Sequence, residues 1–148
     1  MGIEIERKFL VDKDKWLEVR PTNGIQVLQG YLLKSPEKTV RVRVKGNQGF
    51  ITIKGKTENI SRLEYEYEIP KNEAEELLNN FCLNVIMKTR YELIFDGFVW
   101  EVDEFITPNL GLILAEIELS DEKEVFKRPS WVGEDVSNQS KYYNSNMI

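Results

Sequence analysis

Six cations and nine acids of this chain sit at alternate positions of short segments whose other positions are apolar or aromatic. The cations are Lys8, Arg41, Arg43, Lys54, Lys88 and Arg90; the acids are Glu4, Glu6, Glu64, Glu66, Glu68, Glu101, Asp103, Glu116 and Glu118. Both signs at this density suit a closed cavity that holds a polyanion together with hard divalent ions. Phosphate oxygens favour Arg forks and Lys point charges, whereas Mg2+ or Mn2+ takes carboxylate oxygens and keeps several waters. The chain has no histidine and one cysteine, Cys82. That removes Ser-His and Cys-His nucleophile pairs, imidazole acid–base chemistry and the usual transition-metal ligands. It equally removes an internal disulfide framework and a four-Cys zinc site. The glycines from Gly46 to Gly55 lack the GxxxxGK[ST] spacing of a P-loop, so phosphate would be held by side chains on strands.

The bulk composition is compatible with this chemistry. The 148 residues carry a net charge of −5, which argues against a globally basic nucleic-acid binder, and 41% are apolar, enough for one ordinary core. One domain spanning 1–148 is expected. No apolar run approaches the roughly 18 residues of a membrane span, and Met1-Gly2-Ile3-Glu4 opens on an acid rather than a basic signal region. A cytoplasmic protein with a small-molecule polyanion as partner, and neither nucleic acid nor membrane, is expected, as a monomer or homodimer.

The elements that must position these side chains are mostly strands. Ile3, Ile5 and Phe9 alternate with Glu4, Glu6 and Lys8; Asp12 to Val19 reads as a short helix stopped by Pro21-Thr22-Asn23-Gly24. Strands are predicted over Gln26–Leu33, Thr39–Lys45, Phe50–Lys56, Ser61–Ile69, Tyr91–Phe95, Phe98–Phe105 and Gly111–Leu119. Asn72 is expected to cap a helix reaching about Leu83, with Leu77, Leu78, Phe81 and Cys82 on its apolar face. The tail from Asp121 to Ile148 is polar and expected to be helical in part; Lys141, Tyr142 and Tyr143 could close one end of a barrel.

Hairpin geometry tests whether the charged parity simply faces water. Symmetric closure about Gly46–Gly49 sets Arg41 opposite Lys54 and Arg43 opposite Thr52; closure about Asp96-Gly97 sets Arg90 opposite Asp103 and Glu92 opposite Glu101. Like charges in direct opposition cost roughly 0.2–1 kcal/mol per pair. An anion between Arg41 and Lys54, and a cation near Glu92 and Glu101, would reverse both penalties. A β-sandwich with charged outer faces and a barrel with a charged interior account for the alternation equally well.

Glu4-Ile5-Glu6-Arg7-Lys8 resembles the ExExK signature of the CYTH superfamily, the triphosphate tunnel metalloenzymes. The later landmarks are similar too: Arg41-Val42-Arg43, Thr52-Ile53-Lys54-Gly55, Arg62-Leu63-Glu64-Tyr65-Glu66, Lys88-Thr89-Arg90, Glu101-Val102-Asp103 and Glu116-Ile117-Glu118. Trp131-Val132-Gly133 and Tyr142 to Asn146 resemble the family's tail.

The resemblance implies a mainly β fold with flanking helices, an eight-stranded antiparallel barrel whose charged interior forms a tunnel. The apolar parity, including Tyr65, Tyr67 and Trp100, would then point outward beneath covering helices. It implies Lys8, Arg41, Arg43, Lys54, Lys88 and Arg90 as a triphosphate clamp, with Lys8 and Arg43 acting in catalysis. Glu4, Glu6, Asp103, Glu116 and Glu118 match metal-holding positions, with Glu101 beside them and Glu64 and Glu66 as water-positioning catalytic acids. The implied activity is Mg2+- or Mn2+-dependent hydrolysis of inorganic tripolyphosphate. The family also contains adenylyl cyclases and thiamine and RNA triphosphatases, and a non-catalytic polyphosphate-binding module is a further alternative. Among aromatic residues only Phe50 and Phe105 fall on the tunnel parity, both at strand ends, which disfavours a nucleotide base in the middle.

Overall fold

The alternating segments form strands, and the sheet they build curls shut. The computed structural model describes residues 2–148. Its elements are β1 (Ile3–Val11), α1 (Lys13–Val19), β2 (Ile25–Lys34), β3 (Lys38–Lys45), β4 (Gln48–Gly55), β5 (Ser61–Ile69), α2 (Lys71–Phe81), β6 (Ile86–Phe95), β7 (Phe98–Thr107), β8 (Ile113–Glu118) and β9 (Val132–Asp135). Strand neighbours run β5-β4-β3-β2-β6-β7-β8-β1, and a β5–β1 pairing closes the antiparallel barrel of eight. The closing seam is short: Ile3, Glu4 and Ile5 pair with Leu63, Arg62 and Ser61. Beyond it, β9 takes over the same edge of β1, with Phe9 opposite Asp135 and Val11 opposite Val132. This ninth strand lies in the tail, where partial helix was expected; helical structure there is confined to single 3-10 turns at Ser140–Tyr142 and Asn144–Asn146.

Turn chemistry sets the register of each hairpin. Asp96 and Gly97 both adopt positive φ, 51° and 81°, and join Phe95 to Phe98. This is the two-residue turn that follows the right-handed strand twist, and it places Arg90 opposite Asp103 and Glu92 opposite Glu101, as expected. The first hairpin differs from the symmetric expectation. Only Gly46 of its loop has positive φ, at 58°, so Gly46-Asn47 alone turns the chain and Lys45 pairs with Gln48. Arg41 therefore lies opposite Thr52, Arg43 opposite Phe50 and Thr39 opposite Lys54, and the anticipated Arg41–Lys54 opposition does not occur. The shift is by two residues, so every side chain keeps its face.

The apolar parity faces outward and is covered on two sides. Against β2, β3 and β4, α2 buries Ala74 and Leu78 on Val42 and Val44, with Leu28, Ile51, Leu77 and Cys82 around them. Asn72 does not cap this helix. Pro70 occupies the N-cap, and its carbonyl accepts from the Glu73 and Ala74 amides. On the other side Trp16 of α1, Phe126 and Trp131 cover Phe9, Trp100, Val102, Ala115 and Ile117 of β1, β7 and β8. Full burial of such side chains contributes about 1.5–3 kcal/mol each. Trp100 is accordingly enclosed, but Tyr65 and Tyr67 on β5 remain 47% and 56% exposed, outside the cluster that α2 covers, which takes in only Ile69 at the end of that strand. No helix among the described residues is long and apolar enough to cross a membrane.

Inside the barrel the charged parity changes character towards one end. Two residues beyond Lys8 and Asp103, and two before Lys88 and Glu116, lie Leu10, Phe105, Ile86 and Leu114. These pack with Val136, Tyr142, Met147 and Ile148 of the tail into an apolar floor. The interior is a cup with one open mouth.

Candidate active site

Strand order sorts the inward charges into two arcs. The strands β5, β1, β8 and β7 are consecutive around the barrel and present Glu64, Glu66, Glu4, Glu6, Glu116, Glu118 and Glu101; β4, β3 and β6, separated only by β2, present Lys54, Arg41, Arg43, Lys88 and Arg90. Two cations lie on the acidic side, Lys8 at the inner end of β1 and Arg62 on β5. The cavity between the arcs has a volume of about 260 Å³ and is lined by eight cations and seven carboxylates. All six expected clamp cations line it, as do Glu4, Glu6, Glu64, Glu66, Glu101, Glu116 and Glu118.

Asp103 differs. It is 1% exposed and does not line the cavity. Its Oδ1 accepts from Arg90 Nε at 2.8 Å, and its Oδ2 from Arg90 Nη2 at 2.9 Å and from Lys88 Nζ at 2.7 Å. Burial would raise this carboxyl, but Arg90 and Lys88 outweigh burial and hold it well below the usual carboxylate range. The expected metal ligand thus stands behind the clamp and fixes two of its cations. The opposed Glu92 and Glu101 are likewise met by protein cations, Lys45 Nζ at 3.4 Å and Arg90 Nη1 at 3.1 Å, rather than needing a metal between them.

The remaining pairs run along the wall between adjacent or next-but-one strands. Lys54 Nζ reaches Glu4 at 3.1 Å and Glu64 at 3.2 Å, Arg41 Nη2 reaches Glu66 at 3.4 Å, and Lys8 Nζ lies 4.0 Å from Glu116. Glu66 and Glu68 are exposed at the mouth. Within the acidic arc, carboxyls meet carboxyls. Burial, then Glu116 and Glu4, push the Glu6 carboxyl well above its ordinary pKa. Burial acts on Glu116 in the same direction, but Lys8, the proton shared from Glu6, Arg90 and Lys88 hold it well below. Glu4 and Glu64 form a second such pair. No three acids among the described residues are already arranged around one ion. Glu6 beside Glu116 and Glu4 beside Glu64 offer oxygen-only donors of the kind that hard divalent cations take.

Two buried donors in the wall lack any partner, Arg41 Nε and Thr39 Oγ1. Leaving such groups unmet costs about 1–3 kcal/mol apiece, and both belong to residues that line the cavity. Burial, reinforced by Arg41 and Arg90, lowers the Arg43 guanidinium to about 9, and burial lowers the Lys88 ammonium to about 7. An entering anion would relieve all of these strains together.

Several lining residues escape the sequence pattern. Arg62 and Lys45 share the charged parity of their strands and were legible on that basis. Thr39 and Tyr31 are neutral members of the inward face of β3 and β2, which a search for charge passes over. Tyr143, Asn144 and Ser145 come from the tail, which meets β1 and β2 across more than a hundred residues and β6 across 56. Phe105 belongs to the floor, 2% exposed beneath the Lys88 ammonium at 5.3 Å, so the aromatic groups on the cavity wall are Tyr31, Phe50 and Tyr143.

This arrangement has close counterparts. The chain is 50% identical to an inorganic triphosphatase of Acetivibrio thermocellus over its full length and 94% of the relative's. It is 34% identical to one from Nitrosomonas europaea, covering 95% of this chain and 93% of that protein. A crystal structure of an inorganic triphosphatase superposes with a TM-score of 0.66 at 31% identity, covering 99% of this chain and 94% of that one. A putative adenylate cyclase from Bacillus halodurans, at 20% identity and a TM-score of 0.64 over 82% of this chain and 84% of that one, shares the fold. The CYTH domain pattern matches residues 2–147, and with that match and these relatives the chain belongs to the CYTH family.

Proposed function

We propose that this protein hydrolyses inorganic tripolyphosphate to pyrophosphate and phosphate. The reading rests chiefly on the unpartnered Arg41 Nε and Thr39 Oγ1 in a cation-lined cup with a closed floor. Buried donors are ordinarily satisfied, and anionic oxygens would satisfy these. The two relatives named as inorganic triphosphatases support the same substrate.

Charge balance supports a divalent cofactor. A tripolyphosphate carries roughly four to five negative charges, whereas eight cations against seven acids leave the cavity near neutral. Glu4, Glu6, Glu116 and Glu118, with Glu101 beside them, would hold Mg2+ or Mn2+, which when bound supplies Lewis-acid charge compensation at phosphate oxygens. Lys8, Arg41, Arg43, Lys54, Lys88 and Arg90 bind and orient the three phosphates, and Lys8 and Arg43 stabilise charge that develops on transfer. Glu64 and Glu66 orient a water that attacks the terminal phosphorus. A new P–O bond forms and the bridging P–O bond breaks. Pyrophosphate leaves with the bonding pair, and the water's proton passes to a carboxylate.

The floor favours a free triphosphate over a nucleotide, since a nucleoside has room only at the single mouth. The test is phosphate release from tripolyphosphate, ATP, thiamine triphosphate and pyrophosphate with Mg2+ and with Mn2+. Tripolyphosphate should show the highest kcat/KM, with no turnover in excess EDTA. ATP favoured tenfold, or cyclic AMP among the products, would overturn the assignment.

A further inference from the structure

Arg43 is the one clamp cation with no carboxylate in ion-pair range among the described residues. It is held instead by an amide. Gln29 Oε1 accepts from Arg43 Nε at 2.9 Å and from Nη2 at 2.7 Å, and Gln29 is wholly buried. With its oxygen committed to a fork of two donors, the Gln29 Nε2 must point the other way, and there it donates to Asn144 Oδ1 at 3.1 Å. The same Asn144 oxygen accepts from Lys88 Nζ at 2.8 Å. Both partners of that oxygen are obligate donors, so the orientation of each amide is dictated along the chain Arg43, Gln29, Asn144, Lys88. The neighbouring tail residue Tyr142 gives its carbonyl to Lys8 Nζ at 3.1 Å.

We propose that Asn144 and Gln29 are positioning residues: a neutral amide bridge through which the C-terminal tail aims Arg43 and Lys88 at the phosphate chain. The inference builds on the triphosphatase reading of this cavity. An amide suits the task because it orients a guanidinium by hydrogen bonds while leaving its full positive charge for the anion. A carboxylate in the same place would orient Arg43 equally well and neutralise it. The Asp103 anchor behind Arg90 and Lys88 illustrates that second solution. The burial and like-charge neighbours that depress Arg43 are the cost of keeping one cation uncompensated until substrate arrives.

The experiment is steady-state kinetics on tripolyphosphate, with thermal melts, for wild type, Asn144→Ala, Asn144→Asp and Gln29→Glu. Asn144→Ala removes the acceptor shared by Lys88 and Gln29 and should lower kcat roughly ten- to a hundredfold while KM changes much less, since misplacing a catalytic group by about an ångström costs on that order. Asn144→Asp restores the acceptor, so it should recover much of the lost kcat, but its charge on Lys88 should raise KM. Gln29→Glu preserves the fork to Arg43 but cancels its charge and gives up the donor to Asn144 Oδ1, and should raise KM about tenfold or more. Wild-type kcat in Asn144→Ala, no recovery in Asn144→Asp, or an unchanged KM in Gln29→Glu would each overturn the proposal. Gln29→Glu decides the matter even if Asn144→Ala fails to fold. Absence of tripolyphosphate turnover in the wild type would instead overturn the underlying functional reading.

Discussion

Asp103→Asn separates an anchor from a metal ligand. The substitution keeps the side chain's shape but removes the charge that Arg90 and Lys88 share, and it turns an amide NH2 towards their donors. Breaking a buried ion pair by removing one partner costs about 3–5 kcal/mol. The lower end applies here, because Arg90 retains Glu101 at 3.1 Å and Glu116 at 3.3 Å, and Lys88 retains Asn144 Oδ1 at 2.8 Å. A loss of about 3 kcal/mol in a domain of this size lowers Tm by roughly 6–12 °C. Melts in EDTA measure that loss, and the rise in Tm on titrating Mg2+ measures metal affinity by linkage. Asp103→Asn should melt early yet reach half of its Mg2+-induced rise at the wild-type concentration, whereas Glu116→Gln should need more metal. A near-wild-type Tm, or a Mg2+ midpoint displaced as far as that of Glu116→Gln, would refute the anchoring role and return Asp103 to the metal set.

Two further outcomes follow from the same geometry. In EDTA above about pH 5, where the lowered carboxyls Asp103 and Glu116 have finished titrating, Glu6 still keeps a proton that the unfolded chain has released. A folded pKa raised in this way gives stability that is present at low pH and lost as pH rises through the folded value. The Tm should therefore fall from pH 5 towards 7 in wild type, above which the lowered Lys88 ammonium acts in the opposite direction, and fall less steeply over that window in Glu6→Gln; equal slopes would show that Glu6 is not the proton's holder. At the floor, Leu114→Ala should cost about 2–5 kcal/mol by opening a cavity among Ile86, Phe105 and Val136, read as a lowered urea midpoint; a loss under 1 kcal/mol would mean that the tail does not seal that end.

Much of this protein is written in its local pattern. Alternation around Glu4-Ile5-Glu6, Val40-Arg41-Val42-Arg43 and Glu116-Ile117-Glu118 specifies strands and divides each into a charged and an apolar face, because side chains on a strand point to opposite sides with a period of two. The Asp96-Gly97 turn carries its own register, since its two positive φ values permit only one tight closure. The lack of histidine restricts the chemistry to carboxylates, Lys, Arg and hard cations without reference to any fold. Parity, however, cannot say whether the charged face looks at water or at itself. That depends on the β5–β1 seam, a pairing between residues some sixty positions apart. Closure also sorted the acids of β5, β1, β8 and β7 from the cations of β4, β3 and β6, a segregation invisible in a linear order where the two signs alternate. Asp103 sits on the inward parity like Glu101, and only its depth between Lys88 and Arg90 makes it an anchor. Gln29 and Asn144 show the same limit: nothing local marks two neutral amides 115 residues apart as partners, and the barrel floor that brings the tail to β2 is what makes them so.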